Sequence, residues 1–201
     1  MTNYVDEIEN SFAFLREIDK LKSIYRKAKI KSDGNRYENS AEHSWHAALA
    51  AQVLQNYFEL DVDINKVVQM LLVHDLVEIY AGDTPAFAEN VNYSKQHDTE
   101  LLAIENLANK FPLEQVQKFK AFWLEYEGLA TPESKFALCI DRIMPIMQNI
   151  HNDGGSWREF NVSKSKLQER NKLLKELSPK LWQFVNQQFD IAIANGWISA
   201  E

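Results

Sequence analysis

Only five of the 201 residues are histidine, so an imidazole flanked by carboxylates inside an apolar run is the first place to look for chemistry. Leu71-Leu72-Val73-His74-Asp75-Leu76-Val77-Glu78 is such a run. On a helix, His74 and Glu78 stand four apart and Asp75 and Glu78 three apart, so the polar side chains share one side among apolar neighbours. Burying them without partners would cost several kcal/mol unless a cation or a set of hydrogen bonds compensates. A bound divalent metal is one solution, and three separately satisfied core groups are the other.

Borderline divalent ions accept imidazole nitrogen and carboxylate oxygen together, and a hydrolytic site keeps open positions for water and substrate. A further histidine and a further carboxylate must then come from elsewhere in the chain. Glu42-His43-Ser44-Trp45-His46 opens one helix, and Asp141 lies in another among Phe136, Ile140, Ile143, Met144 and Met147. Alone, Asp141 reads equally as a salt-bridged core carboxylate. His46 could line the same pocket as His43 or pack in the core. His97 and His151 sit among polar residues and read as solvent-facing. Cys139, in Phe136-Ala137-Leu138-Cys139-Ile140, reads as a small buried thiol without chemistry.

The elements that must position these groups are helical nearly throughout, by the spacing of apolar residues. Helices are predicted over about 5–26, with the stripe Ile8, Phe12, Leu15 and Ile18, and over 39–58, opened by a capping box of Asn39 and Glu42. Others follow from the Asp63 cap to just before Gly82, then over 94–110, 113–126, 131–150, 163–177 and 179–195. Residues 30–39, with Asp33-Gly34-Asn35, read as a polar loop. Pro145 cannot donate to the carbonyl of Asp141, which predicts a kink beside that residue. Gly154-Gly155-Ser156-Trp157-Arg158 reads as a hinged loop over a pocket or as a plain connector. No segment alternates with period two, so the expected fold is all-α: one domain over 1–201, with its core over about 5–150 and additional C-terminal helices over about 160–196.

Composition narrows the function classes. Hydrophobic residues at 45% and charged residues at 25% are ordinary for a globular protein. A net charge of -7 disfavours non-specific binding of a nucleic-acid polymer, which depends on Lys and Arg displacing counterions from phosphates. No apolar run suffices to span a bilayer, and the first residues lack a basic segment followed by an apolar one. The expected address is cytoplasmic, with no membrane partner.

Taken in order, Glu42-His43-Ser44, His74-Asp75 with Glu78, Gly82-Asp83 and Asp141 resemble the HD-domain metal phosphohydrolases, within them the 5'-deoxynucleotidase branch, over roughly residues 15–150. The resemblance implies an HD-type helical bundle and a single divalent metal ion held by His43, His74, Asp75 and Asp141, with Mn, Co, Ni, Zn, Fe and Mg all open. It further implies that Glu78 handles protons or orients the attacking water, and that Asp83 with Thr84 and Pro85 contacts the substrate, Asp83 sharing in the catalytic set. Arg26, in Leu21-Lys22-Ser23-Ile24-Tyr25-Arg26, matches the segment that sets an arginine against the phosphate. Lys27 stands where those deoxynucleotidases have a tryptophan. The activity implied is removal of phosphate from nucleoside 5'-monophosphates, deoxyribonucleotides included, by a homodimer.

Physical alternatives accompany each role. Glu78, crowded by apolar residues, has reason for a raised pKa suited to donating a proton, or orients a ligand. Asp83 could bind a ribose hydroxyl or merely cap a turn. Arg26 could clasp phosphate bidentately or end a helix in solvent, with Arg36 and Lys27 as the next candidates. Another nucleotide (a triphosphate, a cyclic nucleotide or an alarmone) is an alternative substrate, and a non-enzymatic metal- or nucleotide-binding module is an alternative function. Alarmone hydrolases of this superfamily typically carry a Glu-Asp pair after the HD, whereas Glu78 is followed here by Ile79. Only His97 lies between His74-Asp75 and Asp141, which favours one metal over two.

Overall fold

A computed structural model describes residues 4–88 and 92–201. Helices dominate, in the order α1 (Tyr4–Ile18), α2 (Ser40–Leu54), α3 (Ile64–Val73), α4 (Glu78–Ala81), α5 (Tyr93–Lys110), α6 (Glu114–Gly128), α7 (Pro132–His151), α8 (Gly155–Glu159), α9 (Lys164–Arg170), α10 (Lys172–Leu177) and α11 (Pro179–Ala194). Among the described residues no helix is long and apolar enough to cross a membrane.

Several boundaries sit where local chemistry puts them. Asn39 Oδ1 accepts from the Glu42 amide at 3.0 Å while Glu42 Oε2 accepts from the Asn39 amide at 3.1 Å, closing the expected capping box on α2. Asp63 caps α3 through the amides of Asn65 and Lys66. Thr131 caps α7, with Pro132 in its first turn. That helix continues through Pro145 to His151.

Several expectations are corrected. The first helix ends at Ile18; a 3-10 turn over Asp19–Ser23 follows, and Tyr25–Ile30 is then a strand, β1, paired antiparallel with β2, Arg36–Asn39. Gly34 and Asn35 take left-handed conformations between them, at φ 61° and 60°, as a tight reversal demands. The hairpin escaped notice because Arg26, Ala28 and Ile30 face inward, and a charged residue at one of three inward positions spoils the apolar alternation that marks a half-buried strand. Second, Ile8, Phe12 and Leu15 are exposed, and α1 instead buries Phe14 and Glu17. Third, the helix expected to run from Asp63 to Gly82 tightens into a 3-10 turn over His74–Val77 before α4, and the one expected over 163–177 breaks at Asn171.

Two apolar clusters form the interior. One gathers Ala47, Met70, Leu71, Phe136, Ile140 and Met144 with Trp157, Leu174 and Phe189 of the C-terminal helices. The other gathers Phe14, Leu21, Val73, Leu76, Val77, Ile104, Leu107 and Trp123. The chain passes from the first to the second between Leu71 and Val73, so His74 and Asp75 lie at the seam.

Candidate metal and phosphate site

Three separated segments deliver the polar groups to that seam. His43 sits in the first turn of α2, held by the capping box just before it, and is fully buried. His74 and Asp75 open the 3-10 turn after α3, and Asp141 lies mid-way along α7. His43 Nε2 is 2.9 Å from Asp141 Oδ1, and His74 Nε2 is 3.7 Å from the same oxygen and 3.1 Å from Asp75 Oδ1. His43, His74 and Asp141 each offer a donor atom within 4.8 Å of the others, and Asp75 borders them.

The donor set suits a divalent cation. His74 Nδ1 lies 2.8 Å from the Leu71 carbonyl and donates to it, which leaves Nε2 facing the carboxylates. That Nε2 is buried and makes no hydrogen bond among the described residues, an orphan of the kind a ligated ion resolves. Tyr126 Oη donates to the other Asp141 oxygen at 3.1 Å. Burial alone would lower the His74 pKa, but Asp75 and Asp141 outweigh it and hold the imidazole up to about 9. Burial would conversely raise the Asp141 pKa, yet His43 and His74 keep it well below the usual carboxylate range. The site thus concentrates negative charge that attracts a cation.

Arg26 projects from β1 into the same cluster. A register irregularity falls between Tyr25 and Lys29, and such bulges re-aim side chains. Its Nη1 donates to Asp75 Oδ2 at 2.7 Å and stands 3.8 Å from Glu78 Oε1 and 4.0 Å from Asp83 Oδ1; Nη2 is 3.7 Å from Asp141 Oδ1. Burial works against the guanidinium's charge, but the four carboxylates overcome it and raise its pKa. Of the other cations considered, Arg36 is exposed and bridges Asp33 and Glu42, while Lys27 is exposed over the Tyr37 ring and also borders a hollow that Arg26, Asp83 and Asp141 line.

Glu78 opens α4 and is buried. The buried Ser40 hydroxyl donates to its Oε2. Burial first, then the negative charge of Asp75, pushes this carboxyl well above its usual range. Burial raises Asp83 as well, against the pull of Arg26. Gly82, at φ 75°, makes the turn that presents Asp83.

These groups line a cleft of about 320 Å³. It is lined by Arg26, His74, Asp75, Glu78, Asp83, Thr84 and Asp141 together with Gln96, His97, Glu100 and Glu127 of α5 and α6. Pro85 lies in an adjoining hollow that Arg26, Asp83, Thr84 and Asp141 also border. His97 corrects its solvent-facing reading in part: it is half exposed, but it pairs with Glu127 at 3.4 Å, stacks on Trp123 and faces the cleft. His46 borders a separate hollow with Trp45 and Met147, and His151 is exposed as expected. Cys139 is buried and its thiol pushed up to about 12 by desolvation. The segment opened by Gly154 is the short helix α8 and not a loop; Ser156 and Trp157 border the adjoining hollow, and a side chain on Gly154 would meet Trp197 Cβ at 2.6 Å.

Sequence reasoning missed Tyr126 and Glu38. Tyr126 follows Val116, Phe119 and Trp123 at helical spacing, and that pattern points its ring inward. Glu38, the one buried residue of β2, gave no signal inside a polar stretch.

The family model described as HD domain matches residues 18–182. The chain belongs to the HD-domain family. Among its relatives, the 5'-deoxynucleotidase hdd1 of Schizosaccharomyces pombe is 30% identical over 158 residues, covering 75% of this chain and 74% of that protein. The 5'-deoxynucleotidase HDDC2 of Bos taurus is 28% identical over 75% of this chain and 74% of its own length. A crystal structure titled as a predicted metal-dependent phosphohydrolase from Magnetospirillum magnetotacticum superimposes with a TM-score of 0.88 at 34% identity, covering 99% of this chain and 100% of that one.

Proposed function

We propose that this HD-domain protein is a metal-dependent phosphohydrolase that removes phosphate from nucleoside 5'-monophosphates, deoxyribonucleotides included. The observation that carries this reading is the meeting of His43, His74 and Asp141, from three separated segments, within 4.8 Å, with Asp75 beside them and Arg26 reaching the same carboxylates. The 5'-deoxynucleotidases among the relatives support the substrate class.

His43, His74, Asp75 and Asp141 would hold one divalent ion. Such an ion polarises a phosphoryl oxygen and makes hydroxide available near neutrality. The rest falls to the side chains. Arg26, already at the carboxylates, neutralises phosphate charge through its forked donors. Glu78, kept protonated by burial and by Asp75, supplies the proton that the departing nucleoside alkoxide requires, and Ser40 fixes the orientation of its carboxyl. Asp83 and Thr84 form the edge of the cleft where the sugar would lie, next to Pro85.

Phosphate release from a panel of ribo- and deoxyribonucleoside mono- and triphosphates, cyclic dinucleotides and a guanosine tetraphosphate tests the proposal, with and without chelator. Chelator-sensitive turnover confined to the monophosphates is the expected result. Turnover of another class alone would reassign the substrate, and metal retention with no turnover would leave a binding module.

A further inference from the structure

Among the described residues, Glu38 is a buried carboxylate that the proposed chemistry does not use. It is 2% exposed. Gln148 of α7 donates to its Oε1 at 2.5 Å. Among the described residues its Oε2 has no hydrogen-bond partner, and 3.5 Å away is His43 Nδ1, equally buried and equally without one. A carboxylate placed this deep costs several kcal/mol unless its oxygens are engaged, and two complementary orphans facing each other amount to one unclosed interaction.

We infer that Glu38 is the positioning residue for His43: it accepts the Nδ1 proton, sets the tautomer and aims the Nε2 lone pair at the cation site. This rests on the metal-centre reading above. His74 supplies the internal comparison. Its Nδ1 is fixed by the Leu71 carbonyl at 2.8 Å, a neutral acceptor held rigidly by the main chain. His43 heads α2, within the first turn, where the main chain behind it is committed to the helix and no carbonyl reaches Nδ1. The strand before the helix supplies a carboxylate instead. A negative acceptor also makes the imidazole a stronger donor to a cation, and removal of such outer partners typically weakens metal binding by about 10–100-fold. The Gln148–Glu38–His43–Asp141 chain thereby ties α7 to α2 at both ends, through 2.5 Å, 3.5 Å and 2.9 Å contacts.

The test is Co²⁺ affinity and the visible Co²⁺ absorption band of the full-length protein after chelator treatment, for the parent, Glu38→Ala, Glu38→Gln and Asp141→Ala. Glu38→Ala is expected to weaken Co²⁺ binding by about 10–100-fold and to alter the band. Glu38→Gln, which keeps shape and an acceptor but loses charge, is expected to fall between, several-fold weaker than the parent. If Glu38→Ala does not fold, Glu38→Gln decides. Parental affinity and an unchanged band in Glu38→Gln would overturn the inference, even with a lower melting temperature, because a purely structural carboxylate affects folding without tuning the ion. Asp141→Ala separates the two levels: retention of parental Co²⁺ affinity in that variant would sink the metal-centre reading itself.

Discussion

Arg26 and Glu78 share the same carboxylate neighbourhood, and their roles are separable by experiment. Replacing Arg26 by Ala removes a positive charge that lies within 4.0 Å of Asp75, Glu78, Asp83 and Asp141. The Arg26→Ala protein should bind divalent metal at least as well as the parent, since a competing cation has gone. Its kcat/KM for a nucleoside monophosphate should fall by about 10²–10³, as when one oxyanion donor is removed. A parallel loss of metal would contradict a role directed at the substrate. Glu78→Ala should keep the metal and lower kcat by about 10²–10⁴, the usual weight of a general acid; a fully active variant would remove Glu78 from the proton path. The setting of Arg26 did not follow from its neighbours in sequence, because it meets Asp75 across 49 positions; the raised pKa of Glu78 did follow from its apolar neighbours, but its partner Ser40, 38 positions away, did not.

The elements contribute mainly by fixing where each donor begins. α2 starts at Ser40 because Asn39 caps it, and that start sets the rotation at which His43 faces inward and Trp45 faces out, 61% exposed. Asn39→Ala should cost about 1 kcal/mol and lower the melting temperature by about 2–4 °C, measurable by calorimetry on the metal-free protein. An unchanged melting temperature would mean that the box adds nothing to the helix. Such local signals are legible because they span four residues. The 3-10 tightening of His74–Val77 is not; it falls where the chain leaves the cluster that holds Leu71 for the one that holds Val73, Leu76 and Val77, a division made only by tertiary packing. The stripe of Ile8, Phe12 and Leu15 misled for a related reason. Helical spacing shows that a face is apolar, but which face is covered depends on Phe111 and Phe119 meeting Phe14 instead.

At the scale of the whole molecule, Glu17 joins distant parts of the chain. The buried carboxylate accepts from Lys20 and Tyr80, each at 2.8 Å, and from Lys110 at 2.8 Å. Lys110 and Lys20 outweigh desolvation and bring its pKa from 4.5 to about 2. A pKa depressed on folding adds stability that is fully present above the unfolded value and is lost as pH falls through 4.5 toward 2. Glu17→Gln should therefore melt several degrees below the parent at pH 7, and the gap should close between pH 4.5 and 2. A gap that stays constant with pH would show that shape, not charge, holds this junction.

By itself the sequence determined the helical class and the caps, because these depend on periodicity and on short local signals, and the order of its His, Asp and Glu residues carried the resemblance from which the candidate donors were taken. The tertiary structure alone decided which carboxylate each basic group meets, that a hairpin carries Arg26, that Tyr126 reaches Asp141, and that Glu38 stands behind His43. Those facts rest on distances between residues far apart along the chain, and no local pattern encodes a distance that exists only once α2, α7 and the hairpin have packed together.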